Sequence, residues 1–270
     1  LQNAADEFGS LLCVGLDPIL ERLPALDNTD PAEKVYCFCE RVIAATAPYC
    51  CAYKLNTAFF EALGSDGIKV FEKLIEHIGP KKIVIADAKR GDIAHSAGQY
   101  KKAFFDIFNV DAITLNPLMG FDTLQPFLND PEKAIYILTL TSNPGAKHFF
   151  LTPFKGFDTL SDHIADRLQT ISETAQSHIG MVVGATQQHH IQSVLSHYPG
   201  GSLLIPGIGT QGGNIDELMN LLNDHHGIPL ITASRSIIYA GEGHNNWQEK
   251  IEQKAREMKG ALQPLTQNYV

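Results

Sequence analysis

Residues 83–92 read Ile83-Val84-Ile85-Ala86-Asp87-Ala88-Lys89-Arg90-Gly91-Asp92. A short run rich in β-branched residues passes directly into a run of charges. The first part reads as a strand, and the charges fall at its C-terminal end. Side chains alternate along a strand, so Ile83, Ile85, Asp87 and Lys89 are expected on one face and Val84, Ala86 and Ala88 on the other. On that reading Asp87 and Lys89 leave the strand end together.

Seven more runs resemble 83–89 in composition: 11–17, 51–56, 111–117, 134–141, 180–186, 202–208 and 229–235. Between them lie segments of helical period. Val35, Phe38, Cys39, Val42 and Ile43 form one apolar stripe, Tyr100, Ala103, Phe104, Ile107 and Phe108 a second, and Leu160, Ile164, Leu168, Ile171 and Ala175 a third. Each stripe reads as the core-facing side of a helix. Eight alternations of strand and helix imply parallel strands, because a parallel connection needs a crossover. An open doubly wound sheet competes, but it carries a GxGxxG turn after its first strand. Here that strand ends in Gly15-Leu16-Asp17-Pro18. The expectation is a (β/α)8 barrel in one domain, residues 1–270, a size such barrels commonly have.

Composition limits the partners. Of the 270 residues, 44% are hydrophobic and 19% charged, which supports a packed core. A formal net charge of −9 argues against nucleic acid and against an anionic membrane. The sequence holds no apolar run of the ~18 residues that spanning a membrane needs, and no signal-peptide pattern is recognised. The five cysteines, Cys13, Cys37, Cys39, Cys50 and Cys51, include no CxxC pair. They read as reduced thiols, largely buried, in a cytoplasmic compartment.

In a barrel the chemistry sits at the C-terminal ends of the strands. The polar residues collect there: Asp17, Lys54 with Asn56, Asp87 with Lys89 and Asp92, Asn116, Thr141-Ser142-Asn143, Gln211 and Arg235. Carboxylates beside a lysine favour its charged form. Lys89 is therefore expected to be an ammonium, a fixed positive charge and a proton donor. Such an array suits a reaction that loses one negative charge and builds another nearby. A structural ion-pair network is the plainer reading of an isolated Asp-x-Lys; Lys54, Asp92 and a phosphate site alongside favour catalysis.

The phosphate site is read from Pro206-Gly207-Ile208-Gly209-Thr210-Gln211-Gly212-Gly213-Asn214 and from Ser234-Arg235-Ser236. Glycines let backbone amides approach an anion, and arginine offers a fork to its oxygens. Barrels often hold phosphate with the loops after strands 7 and 8. The connection Ser142 to Phe157 is long and reads as a lid. The pairs His189-His190 and His225-His226 are expected on or near helices; adjacent histidines do not share a helix face, so no metal site is expected.

These residues resemble the orotidine 5′-phosphate decarboxylase family over almost the whole chain. The resemblance rests on Val14-Gly15-Leu16-Asp17-Pro18, Tyr53-Lys54, Asp87-Ala88-Lys89-Arg90-Gly91-Asp92-Ile93, Thr141-Ser142-Asn143-Pro144-Gly145, the loop 206–213 and Ser234-Arg235. It implies an array of Lys54, Asp87, Lys89 and Asp92, with Lys89 protonating C6 of the pyrimidine and Asp87 against the departing carboxylate. It implies that Asp17 and Lys54 bind ribose hydroxyls and that Ser142 meets the pyrimidine edge. Gly209, Gln211, Ser234 and Arg235 fall in the substrate-binding set, with Gln211, Arg235 and loop amides on the phosphate. Asp92 and Ser96 would serve the partner's site in a homodimer. No cofactor is implied.

Two rival readings remain. A metal-dependent sugar-phosphate decarboxylase or aldolase of the same superfamily would carry an acidic metal ligand where this chain has Lys54. A non-catalytic barrel would bind a phosphate ligand without turnover.

Overall fold

The computed structural model describes residues 1–26, 30–185, 188–207 and 215–270, and at residues 188, 215 and 216 the backbone alone. All eight expected strands are present. They are β1 (Leu12–Leu16), β2 (Ala52–Asn56), β3 (Ile83–Arg90), β4 (Ala112–Leu115), β5 (Ala134–Leu140), β6 (His178–Val183), β7 (Ser202–Pro206) and β8 (Pro229–Ala233). They close in sequence order as a (β/α)8 barrel. The pairings β1–β2, β2–β3, β4–β5, β5–β6 and β6–β7 are parallel. The chain forms two compact units: Leu1–Ala88 with Phe108–Val110 and Thr232–Val270, and Lys89–Ile107 with Asp111–Ile231.

In the first unit the helix Pro31–Thr46 begins with Asp30, whose carboxylate accepts the Glu33 N–H at 2.8 Å. Proline at the first helical position has no N–H to waste, so the start is well marked. Its expected stripe, Val35, Phe38, Cys39, Val42 and Ile43, is buried. Phe38 stacks on Tyr239 and Trp247, with ring centroids 6.0 and 5.6 Å apart. Lys82 is buried as well. Its Nζ donates to the carbonyls of Ala47 and Cys50, each at 2.5 Å, and so satisfies carbonyls of the turn entering β2. Cys13, Cys39, Cys50 and Cys51 are buried as expected, and burial pushes the Cys50 and Cys51 thiols up to about 11 and 12.

In the second unit the 100–108 stripe needs correction. The helix Ala94–Lys101 runs into a π-helical turn, Lys102–Ile107. The wider turn shifts the register, so Phe104 and Phe105 point inward while Ile107 is 60% exposed. The third stripe is partly correct. Ile164 and Leu168 are buried in the helix Leu160–Ser172, joined by Ala165, and the helix stops before Ala175. Thr159 caps it, accepting the Asp162 N–H and donating to the Asp162 carboxylate. Among the described residues, no helix is long and apolar enough to cross a membrane.

Candidate active site

In the first unit the strand ends bring three charged side chains together. Lys54 of β2 lies opposite Gly15 of β1 and Ile85 of β3. Its Nζ donates to Asp87 Oδ2 at 2.7 Å and lies 3.8 Å from Asp17 Oδ1. Lys54 is 5% exposed and Asp87 8%. Burial works against the ammonium, but the carboxylates of Asp17 and Asp87 outweigh it and hold the Lys54 pKa above the ordinary lysine value. Lys54 is thus a fixed cation between two carboxylates. Asp17 Oδ1 is buried and accepts no hydrogen bond, so it has an open acceptor position.

The same unit carries the residues after β8. Ser234 lies directly beyond the strand, and the exposed Arg235 opens a single helical turn, Arg235–Ile238. β1 approaches this corner very closely. A Cβ placed on Gly15 would fall 1.8 Å from Ser234 Oγ and 3.3 Å from its Cα, so only glycine fits. The other residues assigned to the phosphate, Gly209 and Gln211, lie outside the described residues.

In the second unit Lys89 has an unusual backbone conformation. Its φ is +47°, in the left-handed region, and its N–H donates to Thr114 Oγ1 at 2.9 Å. Lys89 is an exposed residue at the end of β3. Left-handed backbone at a lysine costs on the order of 1 kcal/mol, and such strain concentrates at functional positions. The two residues that follow shape the turn. The Arg90 carbonyl accepts the Asn116 N–H at 2.7 Å, and its guanidinium stands 5.3 and 5.8 Å from the Tyr100 and Phe104 rings. A Cβ on Gly91 would sit 2.8 Å from the Asn116 carbonyl oxygen.

Asp92 is half-buried, and its Oδ1 accepts the N–H of Ile93. Ser96 is exposed on the helix Ala94–Lys101. Ser142 lies in the bend after β5. The connection beyond it is more ordered than a free loop, with a 3-10 turn at Pro144–His148 and an antiparallel bridge between Phe154 and Phe157. Ser161 Oγ lies 2.6 Å from the Thr139 carbonyl and 3.0 Å from that of Phe150, pinning the connection to the end of β5. Two strand-end polar residues prove to be caps. Asn56 accepts the Ala58 N–H and Asn116 the Leu118 N–H, each opening a short helix.

Comparison with known proteins adds to this geometry. The model of the "Orotidine 5'-phosphate decarboxylase / HUMPS family" matches residues 10–249. The chain belongs to this family. It is 38% identical over 266 residues to an orotidine 5′-phosphate decarboxylase of Dehalococcoides mccartyi, covering 97% of this chain and 95% of that one. It is 42% identical over 240 residues to the Herpetosiphon aurantiacus protein of the same name, covering 89% and 88%. Among solved structures, the Leishmania donovani OMP decarboxylase matches with a TM-score of 0.78 at 31% identity, covering 96% and 97%. The barrel seen here is thus the fold of a solved structure similar to this chain. Tyr239 carries no signal of its role in the sequence. Its polar contacts are with the backbone of residues 17 and 19, more than 200 positions away, and no local pattern announces them.

Proposed function

We propose that this chain decarboxylates orotidine 5′-phosphate to uridine 5′-phosphate and CO2, the last step in making UMP, without a cofactor. Lys54, buried between Asp17 and Asp87 at a strand end, is the observation that carries the reading within a family named for this activity. Family membership alone leaves open which chemistry a barrel performs, and these residues narrow it.

The roles follow from charge. Lys54 holds Asp87 by a 2.7 Å charged hydrogen bond, so the carboxylate is fixed before substrate arrives. Asp87 then stands against the substrate carboxylate. The C6–carboxylate bond breaks, CO2 leaves neutral, and the electron pair stays on C6. The ammonium of Lys89 stabilises that carbanion and gives it a proton, and solvent restores the lysine. Its left-handed backbone suits a side chain whose direction matters. Asp17 Oδ1, with its acceptor position open, takes a ribose hydroxyl alongside Lys54. Ser142 meets the pyrimidine edge. Ser234, Arg235, Gly209 and Gln211 hold the phosphate, whose binding far from C6 organises the charges.

The two units act as one domain spanning residues 1–270. The chain works as a homodimer in which Asp92 and Ser96 serve the neighbouring site. Ile93, Leu118 and Met119, all near these residues in sequence or in the β4 turn, are 55%, 48% and 57% exposed, apolar surface that a partner would cover. Its buried thiols suit a cytoplasmic setting.

The test is direct. Purified protein is mixed with orotidine 5′-phosphate, with and without a chelator, and pyrimidine absorbance is followed. Equal turnover in both supports the proposal. Loss of activity with chelator would revive a metal-dependent reaction, and no turnover by folded protein would sink the reading.

A further inference from the structure

We propose that Tyr239 is a positioning residue that ties the Asp17 loop to Arg235, so that phosphate binding at one end aligns the charges at the other. The inference rests on the decarboxylase reading and adds a residue that no resemblance supplied.

The geometry lies within the first unit. The Tyr239 hydroxyl donates to the Asp17 carbonyl at 3.1 Å and accepts the Ile19 N–H at 2.5 Å. It therefore grips the backbone on both sides of Pro18, directly at the residue whose carboxylate faces Lys54. At the other end, the path from Tyr239 to Arg235 is short and stiff. Ser234 O accepts the N–H groups of Ile237 and Ile238 at 2.9 and 3.0 Å, and the Tyr239 N–H reaches the Arg235 carbonyl at 3.3 Å. One closed helical turn thus separates the phosphate arginine from the hydroxyl that holds Asp17.

The ring itself cannot swing freely. Phe38 stacks on it at 6.0 Å, and the Arg22 guanidinium lies 3.9 Å from its centroid. Arg22 is held in turn by a bidentate pair with Glu242, at 2.6 and 3.1 Å. Burial pushes the phenol up to about 12, so at neutral pH it keeps the proton it donates. A ring needed only for packing would not require its hydroxyl to bridge a donor and an acceptor in one loop. With the hydroxyl gone, the Asp17 loop keeps its hydrophobic support but loses its link to the arginine turn.

The test compares two substrates. Tyr239→Phe keeps the ring and removes the oxygen. Turnover is measured with orotidine 5′-phosphate and with orotidine, which lacks the phosphate. The expected result is a loss of about 10-fold in kcat/KM for the phosphorylated substrate, with less than about 3-fold for the nucleoside. Arg22→Met, which leaves both hydroxyl bonds, should change the ratio between the substrates by less than about 2-fold. Equal losses on both substrates would mean a structural role and overturn the proposal, as would no loss on either. Wild-type protein that turns over neither substrate would overturn the decarboxylase reading and the proposal with it. An active wild type with an unchanged substrate ratio in Tyr239→Phe overturns the proposal alone.

Discussion

Replacing Lys54 by methionine removes the cation held between Asp17 and Asp87 and keeps most of the side-chain volume. At 2.7 and 3.8 Å, the attractions to Asp87 and Asp17 are about 6 and 4 kcal/mol before any desolvation cost, at an effective dielectric constant of about 20. Taking the charges out of water offsets much of that gain. The cost of Lys54→Met is set by what remains: a buried Asp87 carboxylate and an Asp17 oxygen that accepts no hydrogen bond, both deprived of this cation. Removing one partner of a buried ion pair costs about 3–5 kcal/mol. At ~2 °C per kcal/mol for a chain of this size, the melting temperature should fall by about 6–10 °C. Equilibrium urea unfolding at neutral pH, without phosphate ligands, measures the free-energy cost, and thermal unfolding measures the midpoint. Asp87→Asn added to Lys54→Met should recover a substantial part of the loss, because the double variant no longer carries the Asp87 charge that Lys54 balances. A cost below about 1 kcal/mol, typical of exposed ion pairs, would refute the claim that this pair is buried and mutually dependent.

The buried His225 gives a pH dependence. Burial lowers its pKa to about 4, against an ordinary value of 6.5, while its Nε2 meets the Gly201 carbonyl at 2.8 Å. The unfolded chain binds the proton more readily, so stability is fully present above about pH 6.5 and is lost as pH falls towards 4, by about 3 kcal/mol in all. Unfolding midpoints measured from pH 7 to 4 should fall less steeply in His225→Gln; parallel slopes would rule this group out. If the chain dimerises as proposed, mixing inactive Lys89→Ala and Asp92→Ala chains should restore activity in heterodimers. Verified heterodimers without activity would mean that Asp92 serves its own subunit.

Much of the fold was legible because strand and helix periods differ so clearly. All eight strands were found, and the stripe from Val35 to Ile43 is buried as expected. The second stripe was misread because a π-helical turn adds a residue and leaves no signature in hydrophobic spacing. Asp17, Lys54 and Asp87 were legible as strand-end polar residues, and the structure brings them together. The left-handed backbone of Lys89 leaves no mark in the sequence, because nothing in a lysine's identity signals positive φ. Asn56 and Asn116 look like site residues in sequence because a cap and a catalytic group both favour a polar residue at a strand end. Tyr239 was invisible because its partners are backbone atoms, which any residue supplies.

The central claim is that Lys89, in an array fixed by Lys54, protonates the carbon that loses CO2. CO2 release from carboxyl-labelled orotidine 5′-phosphate, compared between wild type and Lys89→Ala, tests it most directly. The account predicts that the variant loses at least about 1000-fold in turnover and still binds uridine 5′-phosphate, since the phosphate and ribose contacts remain. Turnover by Lys89→Ala within about 10-fold of wild type would contradict it.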